Sequence, residues 1–207
     1  MAQDLQNWWN MAAIPERPAE VDPIDVRLPQ NLRRLRHDRG LTLEALADRS
    51  QVSRAMISKI ERAAAVPTTT VLGKLAAALE VGLSQLMGNA QPRQPTLLPR
   101  GEQPVYRDPV SGLERWSLSP VFPDRSVDFV RNTLAAGKHV VFPGHHYGVE
   151  EYLFVRLGAL TVVADGQCHR VSQGDTLFYP AHAPHEFRNV SDEPAEFYIV
   201  VDDTRTR

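Results

Sequence analysis

The hydrophobic pattern of the chain changes its period once, and this change limits the fold more than any other feature. Between residues 28 and 88, apolar residues recur three or four positions apart, which is typical of short amphipathic helices. After residue 104 they fall in short β-rich runs separated by turn residues, among them the strong hairpin signal Asp165-Gly166. The sequence therefore predicts an α+β protein in two domains, the first helical and the second all-β.

Proline-rich stretches mark the expected boundaries between these parts. Four prolines and a glycine lie between residues 92 and 104, where they disfavour helix and indicate a linker. We predict an N-terminal extension at 1–23, a helical domain at 24–88, a linker at 89–104 and a β domain at 105–207.

Composition limits the cellular setting. Among the 207 residues Cys168 is the only cysteine, so an internal disulfide is excluded. No apolar run approaches the roughly 20 residues of a membrane helix, and the first residues lack the pattern of a secretory signal. We therefore expect a cytoplasmic protein with no membrane partner.

The net charge of −2 hides a gradient along the chain. Residues 24–88 carry a net +4, whereas residues 1–23 and 89–207 each carry −3. A basic helical block between acidic segments favours a phosphate-bearing partner for the helical domain alone.

Two predicted helices at 42–49 and 53–62, joined by a tight turn, have the proportions of a helix-turn-helix. Val52, Ile57 and Ile60 would bury the second helix, which leaves hydroxyl, basic and small side chains facing outward. Such side chains suit contacts with phosphates and base edges. The candidate DNA-contacting residues are Thr42, Ser53, Arg54, Ala55, Ser58 and Lys59.

The segment LRRLRHDRGLTLEALADRSQVSRAMISKIERAAAVPTTTVLGKLAAALEVGLSQLM resembles the Xre, or λ-repressor-like, helix-turn-helix family. The resemblance implies a five-helix domain that binds double-stranded DNA as a homodimer on a near-palindromic operator. Gln51 and Ala63 stand where the family often has glycine. If the backbone there needs a positive φ, each costs up to about 1 kcal/mol.

Six of the seven histidines lie between residues 139 and 185, and imidazole with carboxylate is a common ligand set for divalent metals. The segments PGHHYGVEEYLFVRLG and GDTLFYPAHAPHEFRN resemble the two cupin motifs, which implies a double-stranded β-helix, or jelly roll, over about residues 130–200. Together with the helical block, the chain resembles the Xre–cupin regulators. The positions that match the second motif are Gly174, Pro180, His185 and Asn189.

In the first motif Glu151 and Gly158 match, and His146 lies five residues before Glu151. Gly144 stands where the family usually has another histidine. The resemblance implies His146, Glu151 and His185 as ligands of a divalent ion (Zn, Fe, Mn or Ni), with the adjacent His145 as an alternative.

The alternation of side chains along a strand bears on the choice between His146 and His145. His146 and Glu151 are an odd number of residues apart, so a regular strand would point them to opposite faces. Either a turn intervenes, for which Gly148 is a plausible position, or His146 pairs with Glu150, or His145 pairs with Glu151.

A small-molecule effector is the other expected ligand of the β domain. Arg131, Tyr152 and Phe178 are weak candidates for its pocket. We expect a transcriptional regulator with a cupin sensor rather than an enzyme. The alternative is a mononuclear non-haem iron enzyme of the kind represented by hydroxypropylphosphonate epoxidase, which joins an Xre-like domain to a cupin.

Overall fold

The computed structural model describes residues 24–88, 95–122 and 127–204. The predicted N-terminal extension and part of the predicted linker lie outside these residues. The helices are α1 (Ile24–Asp38), α2 (Leu43–Ser50), α3 (Arg54–Glu61), α4 (Thr69–Leu79) and α5 (Leu83–Met87). The strands are β1 (Val105–Arg107), β2 (Glu114–Ser117), β3 (Val127–Leu134), β4 (His139–Phe142), β5 (Glu150–Leu157), β6 (Ala159–Ala164), β7 (Gln167–Ser172), β8 (Thr176–Pro180), β9 (His185–Arg188) and β10 (Ala195–Asp202).

The five helices pack around one apolar core, as their periodicity predicts. Leu32, Leu46, Ile57 and Leu75 lose essentially all solvent contact there, and each such side chain contributes about 1.5–3 kcal/mol by burial. A buried ion pair fixes the orientation of α1 relative to α3. In it Nε and Nη2 of Arg36 on α1 donate to the two carboxylate oxygens of Glu61 on α3, at 2.7 and 2.9 Å.

The helix ends explain the two departures from the family pattern. Gln51 ends α2 with φ of 55° and Ala63 follows α3 with φ of 56°, so both occupy the left-handed region that favours glycine. After α3 the amide of Ala64 donates to the Lys59 carbonyl and that of Ala63 to Ile60, which is a Schellman ending. The backbone geometry of the family is therefore kept at these two positions without glycine.

The strands form two antiparallel sheets. The larger has the order β1-β2-β3-β10-β5-β8 and the smaller the order β4-β9-β6-β7. The rings of Phe187 on β9 and Phe197 on β10 lie 5.3 Å apart, so the inner faces of the two sheets pack against each other. The architecture confirms the predicted fold class, a five-helix domain followed by an all-β cupin domain. No helix in the described part of the chain is long and apolar enough to cross a membrane.

The N-terminal end of α4 is bonded to the β domain. The Asp108 carboxylate, after β1, accepts a short hydrogen bond from the Thr69 amide, and the Tyr106 hydroxyl donates to the Pro67 carbonyl at 2.7 Å. Burial alone would raise the pKa of Asp108, but hydrogen bonds from Thr69, Ser111 and the backbone lower that pKa to about 2. Asp108 therefore stays ionised and holds α4 in place.

Two further contacts continue this interface toward α5. A Cβ at Gly73 would lie 2.5 Å from Cγ of Pro143, so α4 approaches the β domain as closely as a glycine permits. The Ser84 amide of α5 donates to Oδ2 of Asp128 on β3 at 3.3 Å. The corner between α4 and α5 is thereby fixed against the mouth of the β sandwich.

Candidate DNA interface and candidate metal centre

The helices α2 and α3 form the predicted helix-turn-helix, and local hydrogen bonds fix where each begins. Oγ1 of Thr42 accepts from the Ala45 amide at 3.1 Å, and Oγ of Ser53 accepts from the Met56 amide at 3.3 Å. Val52, Ile57 and Ile60 are buried, as their spacing predicts. The opposite side of α3 is left to solvent.

The candidate DNA-contacting residues lie at the N-cap of α2 and along α3, from its N-cap Ser53 to Lys59 in its last turn. Five of them are exposed and Ser58 is half-buried; the exposed ones are Thr42, Ser53, Arg54, Ala55 and Lys59. Nε of Arg54 lies 2.6 Å from Oε1 of Glu44 in an ion pair that is itself exposed. Such a surface pair is worth about 1 kcal/mol or less, so a phosphate or a base can replace Glu44 as the partner of Arg54.

In the β domain three side chains converge on one point. Nε2 of His145 lies 3.1 Å and Nε2 of His185 lies 3.6 Å from Oε1 of Glu151, and the three potential ligand atoms lie within 4.8 Å of one another. Glu151 and His185 are buried, and His145 is partly exposed. The structure thus brings together two of the three preferred ligands and the alternative histidine.

His146, the third preferred ligand, lies outside this cluster. Its Nε2 contacts Oδ1 of Asp203 at 2.7 Å instead. The reason is the path of the loop before β5, where a Cβ at Gly144 would lie 2.1 Å from the His182 carbonyl oxygen. The His145 amide also donates to the Ala181 carbonyl at 2.9 Å. These two contacts fix the loop so that the side chain of His145 points toward Glu151. The assignment of His146 as the ligand therefore differs from the structure.

The electrostatics keep Glu151 ionised despite its burial. Burial raises the pKa of a carboxyl, but the His185 and His145 imidazoles and the hydrogen bond from the Tyr179 hydroxyl lower the pKa of Glu151 to about 2. The same arrangement raises the pKa of Tyr179, first by burial and then by the neighbouring carboxylate. Tyr179 therefore stays protonated and donates a hydrogen bond to the Glu151 carboxylate.

The donor set fits a divalent ion. Ligand atoms at metal-bond distance from one ion lie about 3.0–3.4 Å apart, close to the separations measured here. The carbonyl of Ala183 lies 3.2 Å from Nδ1 of His185 and can only accept, so Nδ1 carries the proton and Nε2 faces the cluster. Two imidazoles and a carboxylate suit Zn²⁺, Fe²⁺, Mn²⁺ or Ni²⁺.

The three weak candidates for the effector pocket lie on the other face of the larger sheet. Tyr152 and Phe178 are exposed and contact each other with ring centroids 5.1 Å apart, while Arg131 lies 4.1 Å over the ring of Trp116. Alternation is the cause, because Glu151 points inward and its neighbour Tyr152 must point outward. They therefore lie away from the cavity beside Glu151, and their part in effector binding stays a prediction.

Besides His146 and the three clustered ligands, the internal cavity is lined by residues that the sequence did not single out, Asp203 among them. It has a volume of about 30 Å³ and adjoins the His–Glu cluster. Arg115, Asp128 and Asn132 supply its polar wall, and Ala77, Val81, Gly82 and Leu83 of the helical domain close one side. The alternation of inward and outward side chains on β2 and β3 could have indicated that Arg115 and Asn132 face inward. Only the register of the two strands shows that they lie opposite each other.

Two family models match the chain. A helix-turn-helix domain matches residues 28–86, and a cupin domain matches residues 130–201. These ranges cover nearly all of the five helices and most of the two sheets. They agree with the division into a helical and a β part.

Several known proteins match this chain over most of its length. The HTH-type transcriptional regulator SutR of Escherichia coli is 28% identical over 84% of this chain and 93% of its own. The crystal structure of an HTH_3 family transcriptional regulator from Vibrio cholerae has a TM-score of 0.73 and 30% identity, covering 88% of this chain and 98% of that one. The hydroxypropylphosphonic acid epoxidase of S. wedmorenis has a TM-score of only 0.44 and 18% identity, over 86% of this chain and 97% of that one.

The two domain matches, the exposed face of α3 and the Vibrio relative agree with one another. This chain therefore belongs to the DNA-binding transcriptional regulators of the Xre helix-turn-helix family that carry a C-terminal cupin domain.

Proposed function

We propose that this regulator binds a two-fold symmetric operator as a homodimer, and that a divalent ion held by His145, Glu151 and His185 in the cupin domain controls that binding. The observation that carries the proposal is the contact between the two domains. Ala77, Val81, Gly82 and Leu83 of the helical domain form one wall of the cavity beside the three ligands.

The DNA contacts that we propose are those of α3 and of the N-terminal end of α2. Ser53, Arg54, Ala55, Ser58 and Lys59 would enter the major groove, with Thr42 at a phosphate. The hydroxyls of Thr42 and Ser53 accept from backbone amides, which leaves their O–H groups able to donate to phosphate oxygens.

Replacing Arg54 or Lys59 by alanine tests this interface. The operator is first obtained by selection from a random DNA library with the wild-type chain, and affinities are then measured by fluorescence anisotropy. We expect Arg54→Ala to weaken binding about tenfold or more, because it removes a bond to a base or a phosphate. Lys59→Ala should also lower the slope of log K against log salt by about 0.9 for each phosphate that the side chain neutralises in the wild-type complex.

The matched control is Arg170→Ala, which removes an exposed arginine from β7 and changes the net charge by the same amount as the α3 variants. All three variants should unfold at the wild-type temperature, because the altered side chains are exposed. Wild-type operator affinity in both α3 variants would contradict the proposed interface.

For the metal, the support is the burial of Glu151 between two imidazoles. A buried carboxylate is costly unless a positive charge balances it, and a divalent ion would supply that charge for Glu151. His145 is the partly exposed member of the set, so the ion would enter from the loop before β5.

Two adjacent histidines make a sharp test of the ligand set. Titration of chelator-treated protein with Zn²⁺ and Mn²⁺, followed by elemental analysis, should give about one ion per chain. We expect Glu151→Gln and His145→Ala to abolish high-affinity uptake, whereas His146→Ala should retain it because its Nε2 contacts Asp203.

The reverse pattern, with uptake abolished in His146→Ala and kept in His145→Ala, would contradict our ligand set. It would instead support His146 as the ligand, as the family resemblance implies. No uptake by the wild-type chain of Zn²⁺, Mn²⁺, Ni²⁺ or Fe²⁺ would contradict the metal proposal as a whole.

The homodimer would use the outer face of the larger sheet. Phe129, Tyr152, Phe154 and Phe178 are exposed on β3, β5 and β8 and form one apolar patch across the strands. Aromatic side chains at this exposure present several hundred Å² per copy, which is more than isolated surface hydrophobes provide. A second copy of this face is a suitable partner, since an operator-binding dimer needs an interface that leaves α3 free.

A charge placed in this patch should separate the dimer. We expect the wild-type chain to have the mass of two chains by light scattering, and Phe154→Glu to have the mass of one at micromolar concentration. The control Val190→Glu alters an exposed residue after β9 and should remain dimeric. A wild-type monomer, or a dimer that is unaffected by Phe154→Glu, would contradict this interface.

A further inference from the structure

The cavity beside the His–Glu cluster contains two buried hydrogen-bond donors that have no partner. Nε of Arg115 and Nδ2 of Asn132 make no hydrogen bond within the described residues, although both side chains are almost fully buried. Native proteins pair nearly all buried donors, and each one left over costs about 1–3 kcal/mol. Two such donors facing one cavity indicate a ligand that accepts hydrogen bonds.

The strand register places these donors side by side. Arg115 on β2 lies directly opposite Asn132 on β3, so both side chains project from neighbouring points of the inner sheet face. Nη2 of Arg115 remains 3.6 Å from Oδ2 of Asp128, longer than a hydrogen bond. The guanidinium is thus held close to its counter-ion but keeps donors for an additional acceptor.

The charges around the cavity admit an anion only once the metal is bound. Glu151, Asp128 and Asp203 contribute three negative charges, and Arg115 contributes one positive charge. A divalent ion would offset the remaining two negative charges. Without the ion the carboxylates outnumber the guanidinium, so an anion would be repelled.

Apart from His146 and Asp203, the remaining wall is apolar. Val130, Phe142, Val149 and Ile199 line the cavity on the side of the β domain, and the α4–α5 corner closes it. A volume of about 30 Å³ limits the ligand to a few atoms, so the cavity takes a carboxylate with at most a short organic part and not a long chain.

We propose that this cavity binds a small organic monocarboxylate, whose carboxylate group accepts hydrogen bonds from Arg115 and Asn132 beside the metal-bound cluster and whose organic part presses on the α4–α5 corner. This deepens the proposed function, on which it rests, by naming the class of effector. Contact with Ala77 and Leu83 would give the acid a direct effect on the DNA-binding domain.

Propanoate and its isosteric neutral analogue propanamide form the decisive pair of probes. The full-length protein loaded with Zn²⁺ is titrated calorimetrically with each of them, and separately with inorganic phosphate and sulfate. We expect saturable binding of propanoate and at least tenfold weaker binding of propanamide. The metal-free protein should bind neither compound.

Two variants assign the binding to the proposed donors. Arg115→Gln should weaken propanoate binding about tenfold or more, because it removes a charge-assisted hydrogen bond. Since Arg115→Gln leaves Asp128 buried without its cation, Asn132→Leu provides a second variant that removes the unpartnered Nδ2 donor and keeps the Arg115–Asp128 pair. It should keep or raise the unfolding temperature while weakening propanoate binding, whereas a merely structural Asn132 would leave binding unchanged.

Several results would overturn the inference. They are equal binding of propanoate and propanamide, binding of phosphate or sulfate in place of carboxylate, wild-type propanoate affinity in both variants, and no propanoate binding at all. Failure of metal uptake is seen before any acid is added, and that result would contradict the proposed function. Zn²⁺ uptake without propanoate binding would overturn this inference alone.

Discussion

The packing of the α4–α5 corner against the mouth of the β sandwich is the constraint on which the rest of the structure depends. Gly73 permits the approach, since a Cβ there would overlap Pro143. Asp108 and Asp128 hold the two helices by accepting from the amides of Thr69 and Ser84. This corner is both part of the helical core and a wall of the cupin cavity, so the cavity and the helical domain are in direct contact.

Three charged side chains are buried around the cupin cavity. Glu151, Asp128 and Arg115 are almost completely withdrawn from solvent around one small cavity. A buried ionic cluster of this kind stabilises a fold weakly or not at all, so its presence favours a binding role. The apolar faces of Phe142 and Phe187 on the other side of His185 exclude water and strengthen each electrostatic contact.

The helical domain could be predicted almost completely because its determinants are local. The caps at Thr42 and Ser53 and the buried Ile57 and Ile60 follow from residue type and spacing within one turn or two. The positive φ at Gln51 and Ala63 meets the condition set by the glycine that the family often has at these two positions.

The cupin site could be predicted only in part, for physical reasons that differ between residues. His145 and not His146 joins the cluster because the loop before β5 passes close to the His182 carbonyl. This contact joins segments that are far apart in the sequence. Tyr152 could have been excluded from the pocket, because strand alternation cannot direct both it and Glu151 inward. The pairing of Arg115 with Asn132 depends on the register of β2 with β3, which no local pattern specifies.

If occupancy of the cupin cavity changes the affinity for DNA, binding of the operator must change the affinity for Zn²⁺ by the same factor. The operator affinity of the full chain is measured with and without saturating Zn²⁺, and the Zn²⁺ affinity with and without saturating operator. We expect both affinities to change by the same factor, about fivefold or more, and Glu151→Gln to abolish the effect of Zn²⁺ on operator affinity. An operator affinity that is identical with and without bound Zn²⁺ would show that the metal does not control DNA binding.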